Sequence, residues 1–305
     1  MKKLVVLTQA LFAVTLLLIF LPYHQREITD SRIPLVVVLC LIEFWFWFSW
    51  LRNRTTAKLD RQTKSIVFSI VFAVFLVWEL CTSTFTLVNP VLYPGPEEVF
   101  YVYVDYWRLI LLGVVLSLTK LLVGIGLALV LGTLIGLFIG WVPGLRKVFF
   151  PICKVLSPIP PVVYVSYVIA ILPTFASASI AVVFLGVFWP TLLSTIVSIS
   201  NIDQKIITSA KSMGVNHMTM IFRVILPYTL PVILGSLTMM VSFSFMTLTS
   251  AEMIGSTAGL GFFVQKYASY AIYSNVICGI ITIGVVVVLL NRGVDWLKHA
   301  LVKWK

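Results

Sequence analysis

The stretch Ser200-Asn201-Ile202-Asp203-Gln204-Lys205-Ile206-Ile207-Thr208-Ser209-Ala210-Lys211-Ser212-Met213-Gly214-Val215-Asn216-His217-Met218-Thr219-Met220-Ile221-Phe222-Arg223-Val224-Ile225-Leu226-Pro227 is the longest polar break between the apolar runs of residues 65–305. Asn201 or Asp203 can cap a helix start. Ile202, Ile206, Ala210 and Met213 recur at helical spacing. Gly214 is a natural helix terminator in the left-handed conformation. A second short helix carrying Met218, Ile221, Phe222 and Ile225 follows, until Leu226-Pro227 restarts an apolar run. The pattern predicts a helix–Gly–helix hairpin with an apolar stripe. Such a hairpin fits a groove on a partner protein, and it equally fits the surface of a bilayer.

Outward from this hairpin the chain is apolar. Hydrophobic residues make up 60% and charged residues 11% of it, with mean hydropathy +1.06. A soluble domain is about half apolar and about a quarter charged, so the bilayer is the main solvent here. Eight runs are long and apolar enough to cross it: roughly 4–21, 33–51, 65–84, 109–140, 149–172, 178–199, 228–250 and 274–291. The fourth is overlong, and an interfacial first turn before a crossing that begins near Ser117 accounts for the excess. Lys2 and Lys3 before the first run resemble a signal peptide. The run ends in Leu21-Pro22-Tyr23-His24 without a small-x-small cleavage site, which favours an uncleaved anchor.

The net charge of +11 lies between the apolar runs and not in a stripe with interleaved aromatics. It therefore reads as a topology signal, not as a nucleic-acid surface. With the N-terminus in the cytoplasm, the inner side holds Lys2, Lys3, Arg52, Arg54, Lys58, Arg61, Lys64, Arg146, Lys147, Lys205, Lys211, Arg223, Arg292, Lys298, Lys303 and Lys305. The outer side holds only Arg26, Arg32, Arg108 and Lys266. Both termini and the hairpin at 200–227 are expected to be cytoplasmic. Residues 1–64 read as a two-span extension with a basic cytoplasmic loop, and residues 65–305 as a six-span core.

Within the core, Gly124, Ala128, Gly132, Gly136 and Gly140 are spaced by four and form one smooth helical ridge for close packing. Ser157-Pro158-Ile159-Pro160-Pro161 cannot continue a regular helix. The freed carbonyls need protein or water partners, which suits a broken helix beside a cavity or an interfacial helix start after Pro161. Cys40, Cys81, Cys153 and Cys278 are scattered among apolar residues and carry no metal-ligand spacing.

These residues together resemble the binding-protein-dependent ABC importer permeases. Ala210-Lys211-Ser212-Met213-Gly214 followed by Ile225-Leu226-Pro227 looks like that family's "EAA" loop, with the expected distance from Gly214 to Pro227. Leu92-Tyr93-Pro94-Gly95-Pro96-Glu97-Glu98-Val99 is similar to its "LPSPxxV" element, Ser157–Pro161 to "RPIPP", and Ala251-Glu252-Met253-Ile254 with Gly259-Leu260-Gly261 to "AELLG…GLGYLI". By these segments, which span about residues 75–300, the nitrate/taurine/aliphatic-sulfonate branch is nearest. Thr208 and Ser209 stand where the family has Glu and Ala, and Leu172-Pro173-Thr174-Phe175-Ala176 replaces its "WFGIG".

The resemblance implies an all-α polytopic protein with the type I ABC importer fold. Two such subunits would form a pathway for a small organic or inorganic anion in the bacterial cytoplasmic (inner) membrane. An ABC ATPase dimer would dock on the cytoplasmic loop and an extracytoplasmic substrate-binding protein on the other face. ATP and Mg would act through the partner, since this chain has no G-x-x-x-x-G-K-[ST] and is expected to bind no cofactor itself. Thr208, Ser209, Ala210, Met213, Gly214 and Pro227 are then the coupling residues. Pro160, Tyr164, Ser244, Thr247 and Glu252 are candidates for the pathway or its gate. Glu252 follows a polar stripe of Ser242, Ser244, Thr247, Thr249 and Ser250 and can also serve as a cap or loop hydrogen-bond acceptor. His24, His217 and His299 lie in expected loops or the tail and read as solvated. The rival class, a stand-alone secondary transporter or channel, needs intramembrane ion sites of which the core offers few.

Overall fold

The structure is a computed structural model that describes residues 2–20, 31–52 and 58–301. His24, the Leu21–His24 segment, and Arg26, Arg54, Lys303 and Lys305 of the orientation argument lie outside the described residues. Helices are the only regular secondary structure among the described residues, with no strand among them. They form two compact units, one of Met1–Ile110 with Val264–Ile280 and one of Leu111–Phe263 with Ile281–Lys305.

The first unit carries α1 (Lys2–Phe20), α2 (Ile33–Arg52), α3 (Lys58–Glu79) and α4 (Pro96–Asp105). In an apolar solvent the few polar side chains seek each other. Thr8 meets Ser69 at 2.8 Å, and Gln9 Nε2 donates to Glu43 Oε1 at 2.7 Å, so α1 is tied to both α3 and α2. The segment similar to "LPSPxxV" has local work to do. Pro96 opens α4, with Glu97 and Glu98 in its first turn, where they complement the helix dipole. Trp78 Nε1 donates to the carbonyl of Pro94 at 3.0 Å.

The chain continues through α5 (Trp107–Trp141), α6 (Pro143–Leu156), α7 (Val165–Ile171), α8 (Phe175–Ser200), α9 (Gln204–Ser212), a short turn α10 (His217–Thr219), α11 (Leu226–Gly255), α12 (Leu260–Ser269) and α13 (Tyr273–Leu301). Among the described residues seven helices are long and apolar enough to cross a membrane, and the bent pair α6–α7 makes up to eight. The fourth run is a single helix of 35 residues with no break near Ser117. At 1.5 Å per residue it is roughly 50 Å long and outreaches the ~30 Å hydrocarbon layer. The fifth run is broken. Pro143–Leu156 and Pro161–Ile171 meet at 83° across Ser157–Pro160, because Pro158, Pro160 and Pro161 lack the N–H groups a helix needs there.

Small residues hold the second unit together. A Cβ at Gly136 would lie 2.7 Å from Thr195 Cβ and 3.3 Å from the Leu192 carbonyl oxygen, so α5 and α8 touch almost backbone to backbone. Gly124, Gly132 and Gly140 make the same approach to Val183, Thr191 and Ile199, and Ala128 is buried between them. Beside this seam Leu121, Ile125, Val187, Leu237, Val241, Phe245 and Leu248 form the main core.

Candidate functional site

The hairpin around Gly214 is built from its caps inward. Asp203 Oδ1 accepts from the Lys205 N–H at 2.8 Å and starts α9. Gly214, at φ +72°, ends it. Gly214 N–H donates to the Lys211 carbonyl at 2.9 Å, and Val215 N–H to the Ala210 carbonyl at 3.3 Å. These two bonds, with Val215 packed in the same cluster as Ala210, make a Schellman motif. Asn216 Oδ1 then accepts from Thr219 N–H at 2.8 Å and starts the second arm.

That arm does not stop at Pro227. Residues Met220–Ile225 take a π-helical turn that leads straight into α11, and His217–Gly255 is one apolar helical run. Pro227 cannot donate to the carbonyl four residues back, and a π turn relieves that register by widening it to five. The expected restart at Leu226-Pro227 is therefore corrected to a continuous helix.

The apolar stripe also divides differently from its spacing. Ile202, Ala210, Ile221 and Ile225 are buried with Leu137, Ile199 and Met220, and Ile207 packs against them. Ile206, Met213, Met218 and Phe222 are exposed, Met213 to 75%. Of the expected coupling residues, Thr208, Ser209, Met213, Gly214 and Pro227 are exposed, while Ala210 sits inside and holds α9 to its support. His217 is not merely solvated. Its Nδ1 accepts from Trp141 Nε1 at 3.1 Å. His299 lies on α13, not in a loose tail.

The second cluster surrounds Glu252, which is 1% exposed. Lys120 Nζ lies 2.9 Å from Glu252 Oε1 and also donates to Ser256 Oγ at 3.2 Å and the Ala258 carbonyl at 2.8 Å. Ser117 Oγ is 2.9 Å and 2.8 Å from the two carboxylate oxygens and accepts from Leu260 N–H at 2.9 Å. Gly261 N–H donates to Glu252 Oε2 at 2.9 Å. Gly259, at φ +133°, carries the chain over the carboxylate, and a Cβ there would fall on it. A charge pair taken out of water is tolerated when its remaining donors and acceptors are also satisfied, and here they are. Ser117 and Lys120 have no sequence signature as a site beyond a lone Lys within an apolar run.

The remaining candidates stand apart from this cluster. Pro160 is exposed at the α6–α7 break and Tyr164 is half-buried just after it. Ser244 and Thr247 are buried on α11. Thr247 Oγ1 bonds the Phe243 carbonyl of its own helix at 3.0 Å, as Thr249 and Ser250 bond those of Phe245 and Met246, whereas Ser242 pairs with Asn291. Among the described residues no group of His, Cys, Asp and Glu is arranged to hold a metal ion.

Comparison with known proteins agrees with this architecture. The taurine transport system permease protein of Escherichia coli K12 is 26% identical over 81% of this chain and 91% of its own. A nitrate import permease protein of Leptolyngbya laminosa is 30% identical over 61% of this chain and 67% of its own. The MetNI methionine ABC transporter, solved in inward-facing conformations, shares the fold at a TM-score of 0.58, with 17% identity, over 65% of this chain and 99% of its own. Residues 128–305, more than half of the chain, match the family described as the binding-protein-dependent transport system inner membrane component. A multi-span helical chain with these matches is an ABC importer permease, and it belongs to that family.

Proposed function

We propose that this chain is the translocation subunit of an ATP-driven, binding-protein-dependent importer for a small organic or inorganic anion, and that its hairpin at 200–227 docks the ATPase. The observation that carries the reading is the hairpin itself. Both arms are capped, the turn is locked by Gly214, and Met213 and Met218 are 75% and 59% exposed at its tip. A rigid tip with flexible thioether side chains suits an adaptable protein contact.

The rest is proposed from the family and, for the termini, from the Lys/Arg distribution. Two copies line the pathway in the bacterial cytoplasmic membrane, both termini are cytoplasmic, and a substrate-binding protein meets the opposite face. ATP and Mg act through the partner. Nitrate and the sulfonate group of taurine, named for two relatives, support a small anion or anionic group as the feature recognised in the cargo. Residues 1–64 are an extension to a permease core at 65–305, which contains the coupling loop. In this reading the break at Pro160 and Tyr164 borders the pathway, since its freed carbonyls need water or protein partners. Ser244 Oγ, buried without a hydrogen-bond partner among the described residues, is a polar atom of α11 still open to one. Thr247 and Glu252 belong to the same helix, α11, and support the walls.

Purification of the chain from its native membranes tests the proposal. An ABC ATPase subunit should co-purify, and reconstituted vesicles should take up the anion only with ATP and binding protein present. Uptake driven by an ion gradient alone, with no ATPase in the preparation, would establish the secondary-transporter reading instead.

A further inference from the structure

Beside the hairpin, within the second unit, lies a cleft of about 610 Å³ whose polar lining is basic. Trp141 organises it. Its indole ring meets His217 edge to face at 6.1 Å, and Lys211 Nζ stands 5.9 Å from its centroid. Because His217 Nδ1 accepts the indole N–H, the imidazole carries its own proton on Nε2, which makes that atom a donor. Arg146, on the same cleft, gives Ser200 Oγ an N–H at 3.3 Å and has further guanidinium donors in a planar fork. Gln204 adds an amide. No carboxylate lines the cleft. Asp203 is the one acidic residue in 200–227, and it is engaged as the cap of α9.

We infer that docking of the ATPase is charge-inverted at this point: Arg146 and Lys211 receive a carboxylate side chain of the ATPase in the cleft beside Trp141. The inference rests on the reading of the hairpin as the ATPase contact and names its chemistry. Thr208 leaves α9 without an acid at that position, the exposed Asp203 is spent on the cap of the same helix, and the charged groups that line the cleft are cationic. Gln204, Lys211, His217 and Met218 belong both to the cleft and to the hairpin. Whatever covers the exposed Met213 and Met218 therefore also covers the cleft mouth. A guanidinium fork and an ammonium lining one cleft match a carboxylate. Complementary charge at such a contact also sets register and rejects wrong partners.

The test uses the complex as it is purified from native membranes. A carbodiimide joins an amine to a carboxylate only where the two touch. Mass spectrometry should find an amide between Lys211 and an Asp or Glu of the ATPase. In the variant Arg146→Gln/Lys211→Gln, ATPase retained on the immobilised chain should fall roughly tenfold or more, and Lys211→Arg should retain it. An intact complex with no cross-link at Lys211 and unchanged retention in the double variant overturns the inference while leaving the docking reading in place. Phosphatidylglycerol held by the wild type and lost from the double variant, with ATPase retention unchanged, assigns the cleft to a lipid headgroup and also overturns it. Absence of any ATPase from the wild-type preparation overturns the docking reading, and the inference with it.

Discussion

Glu252 with its donors and the hairpin around Gly214 both lie in the second unit, and they are built on opposite terms. Around Glu252 the charges and the facing N–H find their partners within the same chain: Lys120, Ser117, Gly261 and the Ala258 carbonyl. Around Gly214 the backbone is equally well satisfied, yet the side chains are left outward, with Met213, Met218, Ile206 and Phe222 exposed. The first cluster is complete and the second is half of something. Substitutions in the first should therefore be read in stability, and substitutions in the second in assembly.

The comparison breaks most sharply at Lys120. Lys120→Met strands the Glu252 carboxylate in an apolar setting and should cost about 3–5 kcal/mol. The check is a lowered midpoint of thermal unfolding in detergent. Adding Glu252→Gln should recover part of this loss, because the amide oxygen still accepts from Gly261 while the charge is gone; a full additive loss would mean the two side chains do not act as a pair. Gly136→Leu comes next. It forces α5 away from Thr195 and should cost about 1–3 kcal/mol by the same measurement.

The hairpin variants run the other way. Gly214→Ala meets no atom within 4 Å of the new Cβ, so its whole effect is the positive φ, about 1–2 kcal/mol confined to the turn. Gly214→Val adds a β-branch and should be worse. Both should insert in the membrane normally and retain less ATPase in pull-down; unchanged retention would remove Gly214 from the coupling role. Met213→Ala is the mildest test. It should leave the unfolding midpoint within about 0.5 kcal/mol of the wild type and still weaken ATPase retention. Equal retention would mean the exposed tip is not the contact.

Hydropathy made the number of crossings legible, and the spacing of Gly124 to Gly140 made the close helix seam legible, because both are local periodicities. Gly214 was legible for the same reason, since a left-handed turn is a local demand. The π turn at Met220–Ile225 was not. A proline after an apolar residue reads as a stop, and only the helix packed on both sides of Pro227 shows that it is absorbed. Lys120 and Glu252 were not legible as a pair because they are joined by the fold and not by the chain, which separates them by 132 positions. His217 was read as solvated because Trp141, its donor, comes from another helix.

The continuity through Pro227 makes the second arm of the hairpin and α11 a single rod. From His217 to Glu252 it measures roughly 50 Å at 1.5 Å per residue. A rod of that length converts angle into distance: a tilt of about 5° about the hairpin end sweeps the Glu252 end through roughly 4 Å, nearly the rise of one helical turn. Under the proposed docking the hairpin is the handle of this lever, and the buried Lys120–Glu252 pair ties its far end to α5.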